Sequence, residues 1–151
     1  MDVRPSDERA MDEALRLAGA TGRMGNVPVG AVILVDDTIV ARAANLRETL
    51  QDPTAHAEML VLREAAAKMG SWRLEDATMV VTLEPCAMCT ATIAQARIKR
   101  LVYGADEPKT GAVHHGPRLL NDHPIVVERG LKERESRALL EDFFKKLRGR
   151  E

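Results

Sequence analysis

The chain has 151 residues, 45% of them hydrophobic, and a formal charge of −1. That length suits one compact domain over residues 1–151, and the apolar fraction excludes an intrinsically disordered chain. The near-zero charge excludes a global pull toward nucleic acid or anionic membrane, so any nucleic-acid surface must be a local patch. Aromatics are only 3%, so Val, Leu, Ile, Ala and Met must fill the core. No apolar run is long enough to span a bilayer. Residues 1–10 lack the apolar centre of a secretion signal. The expectation is a soluble, cytoplasmic protein without a membrane partner. In that compartment its two cysteines, spaced C-x-x-C, point to metal or redox chemistry rather than a structural disulfide.

Met11, Ala14, Leu15 and Ala18 recur at helical spacing, predicting a first helix over 6–24 with Ser6 as its N-cap and Gly25-Asn26 at its end. Residues 27–35 read as a buried strand, Asp36-Asp37 as a turn and 38–45 as a second strand, together an antiparallel hairpin. Pro28 cannot donate to a ladder and belongs at a strand start or bulge. A polar loop over 46–55 leads, through the start signal Asp52-Pro53-Thr54, to a helix over 55–69 that Gly70 stops. Residues 77–83 are nearly all apolar, as in a central strand buried on both faces. Glu84-Pro85 turns the chain into a helix over 86–96, and 99–104 is a fourth strand. Residues 105–122 contain Pro108, Gly111, Gly116 and Pro117 and read as loop with at most a short helical turn. A short fifth strand over 124–128 and a closing helix over 131–147 complete the chain. Leu131, Leu139, Leu140, Phe143, Phe144 and Leu147 give that helix an apolar face. Strands alternating with helices after a hairpin predict a three-layer α/β/α fold with a mixed five-stranded sheet.

The chemistry sits at two predicted helix starts. Cys86 and Cys89 are three apart and share a helix face in the first turn, where unpaired N–H groups and the helix dipole favour thiolate. Alone, the spacing fits two structural cysteines, a redox pair or a zinc site. His56 and Glu58 change the balance, because a redox pair needs neither. Side chains at the tip of one helix can converge with those of another beyond their ends. One His and two thiolates make three protein ligands and leave a fourth position for water, the pattern of a catalytic zinc rather than a closed structural site. Water bound there becomes hydroxide near neutral pH. Glu58 then serves better as a proton carrier than as a ligand. Such a site attacks an electron-poor carbon bearing an amino group and releases ammonia.

H-A-E at 56–58 followed by P-C-x-x-C at 85–89 resembles the zinc-dependent nucleotide and nucleobase deaminases. Within them, Val27-Pro28-Val29-Gly30-Ala31-Val32, Asn45, residues 52–58 and 82–89, Ala96-Arg97-Ile98, Tyr103-Gly104-Ala105, Lys109-Thr110-Gly111-Ala112 and Asp142-Phe143-Phe144 are similar to the tRNA-specific adenosine deaminases. The similarity runs from about residue 8 to 147. It implies a cytidine-deaminase-like fold, a homodimer with one zinc per subunit, and hydrolysis of the wobble adenosine in a tRNA anticodon arm to inosine. His56, Cys86 and Cys89 would bind zinc and Glu58 would shuttle protons. Backbone N–H groups near Ala57 and Cys86 would hold the reacting oxygen and the base. Asn45, locally a turn residue that bonds nearby backbone, would hydrogen-bond the flipped adenine. Glu107 and Lys109 would lie by the flanking nucleotide. Glu107 stands where the family commonly has Asp, and residues 112–124 are shorter than in the family.

DNA is not expected as a partner. Lys145, Lys146, Arg148 and Arg150, with Arg97, Lys99 and Arg100, read on charge alone as solvated faces; the resemblance makes them candidate phosphate contacts. His114-His115 reads as loop rather than a second metal site, and Trp72 as a core or interface plug. The competing readings are a guanine, cytosine or cytidine deaminase of the same fold, a non-catalytic zinc-containing RNA-binding subunit, and a thiol redox protein. The presence of Glu58 weighs against the last two.

Overall fold

The structure, a computed structural model, describes residues 2–149; Arg150 of the basic tail lies outside them. In chain order the elements are α1 (Pro5–Arg23), β1 (Gly30–Val35), β2 (Thr38–Ala44), α2 (Arg47–Leu50), α3 (Ala57–Met69), β3 (Ala77–Leu83), α4 (Ala87–Gln95), β4 (Arg100–Ala105), β5 (Val126–Arg129) and α5 (Glu133–Arg148). One mixed sheet runs β2-β1-β3-β4-β5. β1 is antiparallel to both β2 and β3, while β3, β4 and β5 are parallel. This is the predicted five-stranded arrangement with its initial hairpin.

The sheet is buried on both faces because its strands alternate two apolar sets. Ile33, Met79, Val81, Leu101 and Tyr103 pack with Val61, Leu62 and Ala65 of α3 and Ile93 of α4. Val32, Leu34, Val80 and Val102 pack with Ala10, Met11 and Ala14 of α1. Each such Val, Leu, Ile or Met side chain contributes roughly 1.5–3 kcal/mol on leaving water. A Cβ on Gly30 would fall 2.0 Å from the Ala14 carbonyl oxygen, so only glycine lets α1 cross β1 this closely.

Several boundaries differ from the sequence expectation for local reasons. Pro5 opens α1, where its missing N–H is not needed. Arg4 is the N-cap, and its N–H donates to Asp7 Oδ2 at 2.9 Å. Ser6 is therefore not the cap; its hydroxyl donates to Asp37 Oδ1 at 2.7 Å. Asp36 and Asp37 both adopt left-handed φ, 50° and 63°, as a two-residue hairpin turn requires. The first strand begins at Gly30 rather than 27, because Val29 N–H folds back on the Val27 carbonyl. The 46–55 loop contains the single turn α2. Buried Asn26 caps it from outside, its Oδ1 accepting from Glu48 N and Thr49 N at 2.9 and 3.1 Å. Trp72 is not a core residue: it is 59% exposed with the Arg73 guanidinium 4.9 Å over its ring. Only Ser136 of α5 is buried, and Phe144 and Leu147 are exposed, so the predicted apolar face is only partly covered. Among the described residues no helix is long and apolar enough to cross a membrane.

Candidate active site

Because β1 runs antiparallel to β3, the start of β1 and the end of β3 lie at one edge of the sheet. The N-termini of α3 and α4 open at that same edge. His56 is the N-cap of α3, Cys86 the N-cap of α4, and Cys89 sits in the first turn of α4. Cys86 thus stands one residue before its helix rather than within it. His56 Nδ1 lies 3.7 Å from Cys86 Sγ and 3.5 Å from Cys89 Sγ. Tetrahedral bonds of about 2.3 Å to sulfur and about 2.05 Å to nitrogen place S and N ligands roughly 3.6 Å apart. These two distances match one tetrahedral metal ion, and all three ligand atoms lie within 4.8 Å of one another.

Glu58, the second residue of α3, is only 4% exposed and faces the same cleft without belonging to the ligand cluster. Burial pushes its carboxyl up to about 7, and the Cys86 charge adds to this against its own backbone N–H and His56. The Cys89 thiol, hydrogen-bonded to Cys86, holds the Cys86 pKa down to about 4, with His56 acting in the same direction against burial. The same hydrogen bond, with burial, pushes Cys89 upward. A bound cation would displace the thiol protons.

The cleft measures about 200 Å³, and Asn45, Ala57, Glu58, Cys86, Glu84 and Thr110 are among its lining residues. Asn45 makes the local bond expected of a turn residue, Oδ1 accepting from Arg47 N–H at 3.1 Å, but its Nδ2 donates to the Val27 carbonyl 18 residues away, also at 3.1 Å. It also lines the cleft. Glu107 and Lys109 are not in the cleft. They border a neighbouring groove of about 550 Å³, which shares the Leu83 wall and includes Arg137, Phe144 and Arg148 of α5. Glu107 Oε1 accepts from Lys109 N–H at 3.0 Å.

The basic clusters separate. Arg100 is buried, and its guanidinium donates to both Asp7 carboxylate oxygens at 3.1 and 2.8 Å, so it offers nothing to a phosphate. Arg97 and Lys99 are exposed but lie toward the start of β4, at the far end of the sheet from the cleft. Lys145, Lys146 and Arg148 are exposed in the last turn of α5.

Sequence reasoning gave Glu84 only a turn. It is in fact buried, and its two oxygens accept from Glu107, Val113, His114 and His115 N–H groups and pair with His115 Nδ1. The available signal was an acidic residue directly between an apolar central strand and P-C-x-x-C. Glu84, Asp106 and His115 come within metal-ligand reach of one another. The Glu84 oxygens are filled by donors, however, and Asp106 Oδ1 accepts from the Tyr103 hydroxyl at 2.7 Å. His114 Nδ1 lies 2.7 Å from that same hydroxyl. The two histidines thus belong to a hydrogen-bonded network.

A family model described as MafB19-like deaminase matches residues 5–148. The chain is 44% identical over 146 residues to the tRNA-specific adenosine deaminase of Bacillus subtilis, covering 94% of this chain and 91% of that protein. It is 45% identical over 142 residues to that of Agrobacterium fabrum, covering 91% and 93%. A solved structure from work on A-to-I editing by tRNA:A34 deaminases at the wobble position of transfer RNA superposes with a TM-score of 0.85. It shares 45% identity and covers 87% of this chain and 99% of that one. With the ligand cluster, the buried carboxylate and the sheet all in place, the chain belongs to the tRNA-specific adenosine deaminase family.

Proposed function

We propose that the protein hydrolyses the wobble adenosine of a tRNA anticodon arm to inosine, using one zinc ion per subunit. The observation that carries this reading is the His56, Cys86 and Cys89 cluster beside buried Glu58, in a chain 45% identical to a solved tRNA:A34 deaminase. The three side chains would hold the metal and leave room for a fourth, non-protein ligand. Zinc bound there supplies a Lewis acid that acidifies water and favours negative charge on oxygen. Glu58 takes a proton from the attacking water and passes it to the departing amine. A C–O bond forms at the amino-bearing ring carbon, the C–N bond breaks, and ammonia leaves. The N-termini of α3 and α4 aim backbone N–H groups, including those near Ala57 and Cys86, at developing negative charge. Asn45, fixed by Val27 and Arg47, presents the rest of its amide to the adenine edge.

Glu107 and Lys109 contact the nucleotide next to the target, and the exposed cations of α5 meet phosphates. The protein works as a cytoplasmic homodimer and does not act on DNA. A product assay on zinc-loaded protein tests this reading. An anticodon stem-loop with a wobble adenosine should yield inosine, while free adenosine, guanine, cytosine and cytidine should yield no ammonia. Ammonia from a free base or nucleoside alone would move the protein to small-molecule chemistry.

A further inference from the structure

The segment between β4 and β5 spans about twenty residues without a helix or ladder, and its fixed shape needs an internal anchor. We propose that Glu84, assisted by His115, is that anchor: a positioning residue that shapes loop 106–115 for the nucleotides flanking the target base. The proposal rests on the reading of the cleft as one for a base within a polynucleotide.

Both ends of the loop are tied to one buried carboxylate. Oε1 accepts from Glu107 N–H at 3.0 Å and lies 2.7 Å from His115 Nδ1. Oε2 accepts from the N–H groups of Val113, His114 and His115 at 3.1, 2.9 and 3.1 Å. Glu84 is itself immobile, because its N–H continues the sheet onto the Ala105 carbonyl at 2.9 Å. The enclosure is tight. A Cβ on Gly111 would sit 2.5 Å from Glu84 Cδ and 2.4 Å from the Glu107 carbonyl oxygen. Ala112 N–H bonds the Pro85 carbonyl at 2.9 Å, and Gly111 bridges to Cys86, so the loop is also pinned to the turn that carries a metal ligand.

Between these fixed points the loop bulges outward with Thr110 on the cleft wall and Glu107 and Lys109 on the adjoining groove. Loss of the carboxylate would leave buried N–H groups of Val113 and its neighbours seeking other acceptors, and the bulge would change shape. The reacting groups His56, Cys86, Cys89 and Glu58 stand on α3 and α4, outside the loop. Glu84 therefore acts directly on the loop that flanks the cleft, and reaches the reacting groups only through the Pro85–Cys86 turn to which the loop is pinned.

Glu84→Gln keeps the shape but turns one acceptor oxygen into a donor facing N–H groups. On an anticodon stem-loop, with rates normalised to bound zinc, KM should rise roughly ten- to a hundred-fold, the scale of one or two misplaced contacts to the substrate. A kcat held within about threefold would assign the loss to binding rather than chemistry. Hydrogen exchange should speed up in the peptide covering 106–116 and stay unchanged over α3 and α4. His115→Ala should show the same pattern more weakly, and it decides the matter on the same readouts if Glu84→Gln does not fold. A merely structural role would lower the active, zinc-loaded fraction and leave the KM of that fraction alone. Unchanged KM with unchanged loop exchange, or a fall in kcat at constant KM, would overturn the proposal. If the wild-type protein makes no inosine in the stem-loop, the tRNA reading fails; the exchange measurement still decides whether Glu84 holds the loop.

Discussion

Glu58→Gln separates the proposed proton carrier from the candidate metal cluster. The amide matches the carboxylate in size, so the packing around a residue 4% exposed should survive. Zinc should also survive at one per subunit, because the ligand cluster comprises only His56, Cys86 and Cys89. Activity should not. General acid–base catalysis is worth about 10²–10⁴-fold. The structure argues for the upper end. Glu84, the other buried carboxylate of the cleft, already has its oxygens filled by loop donors and cannot stand in. A loss of about 10⁴-fold corresponds to about 5 kcal/mol of transition-state stabilisation. The assay is single-turnover inosine formation in a stem-loop, with zinc measured on the same sample. Turnover within tenfold of wild type at full zinc would refute the proton-carrier role. Zinc near zero would place the carboxylate among the ligands.

Cys86→Ser should lose both zinc and inosine formation, since three protein ligands leave none to spare; full activity in zinc-free protein would remove the metal from the mechanism. Asp7→Asn breaks a buried ion pair with Arg100 at 2.8 Å, and such losses cost about 3–5 kcal/mol, or roughly 10 °C in melting temperature for a chain of this size. Its kcat on the stem-loop should be unchanged, because the pair lies at the opposite end of the sheet from the cleft. Burial alone would raise the Asp7 pKa, but the hydrogen bonds from Arg100 and Arg4 N–H and the two arginine charges hold it below its ordinary value. The stability this contributes is fully present above the ordinary Asp pKa of about 3.9 and is lost as pH falls through the lower folded value. Denaturant unfolding of wild type should weaken over that acid range, and Asp7→Asn should flatten the dependence.

The central part of the fold was legible because period and composition speak directly about strands. The bounds 77–83 were read as they stand in β3, since a fully buried strand is apolar at every position. The candidate metal cluster was legible because chemistry restricts metal ligands to a few residue types at fixed spacing. Errors arose wherever a distant side chain supplied what local sequence was assumed to supply. Ser6 looked like a cap, but Pro5 starts the helix and Ser6 bonds Asp37 across the hairpin. The α2 turn was missed because its capping oxygen comes from Asn26, more than twenty residues upstream. Arg100 looked like part of a basic patch, and only the fold reveals that Asp7 waits for it 93 residues away.

The loop 106–115 shows why such errors gather near a functional site. A helix or strand satisfies its backbone with its own ladder, so its residues carry a readable period. This loop satisfies much of its backbone with one carboxylate, and a single Glu between a strand and a proline has no period to read. The same device suits a surface that must hold a defined shape beside a fixed cleft. A ladder would force the segment into a strand or helix, whereas a central acceptor lets Thr110, Glu107 and Lys109 point in different directions. His115 adds a side-chain contact to the anchor, so the residues that follow it need not support the surface. If that is so, a longer loop in place of residues 116–123 should leave the KM for the stem-loop unchanged. A change in that KM would show that the surface extends past the anchor.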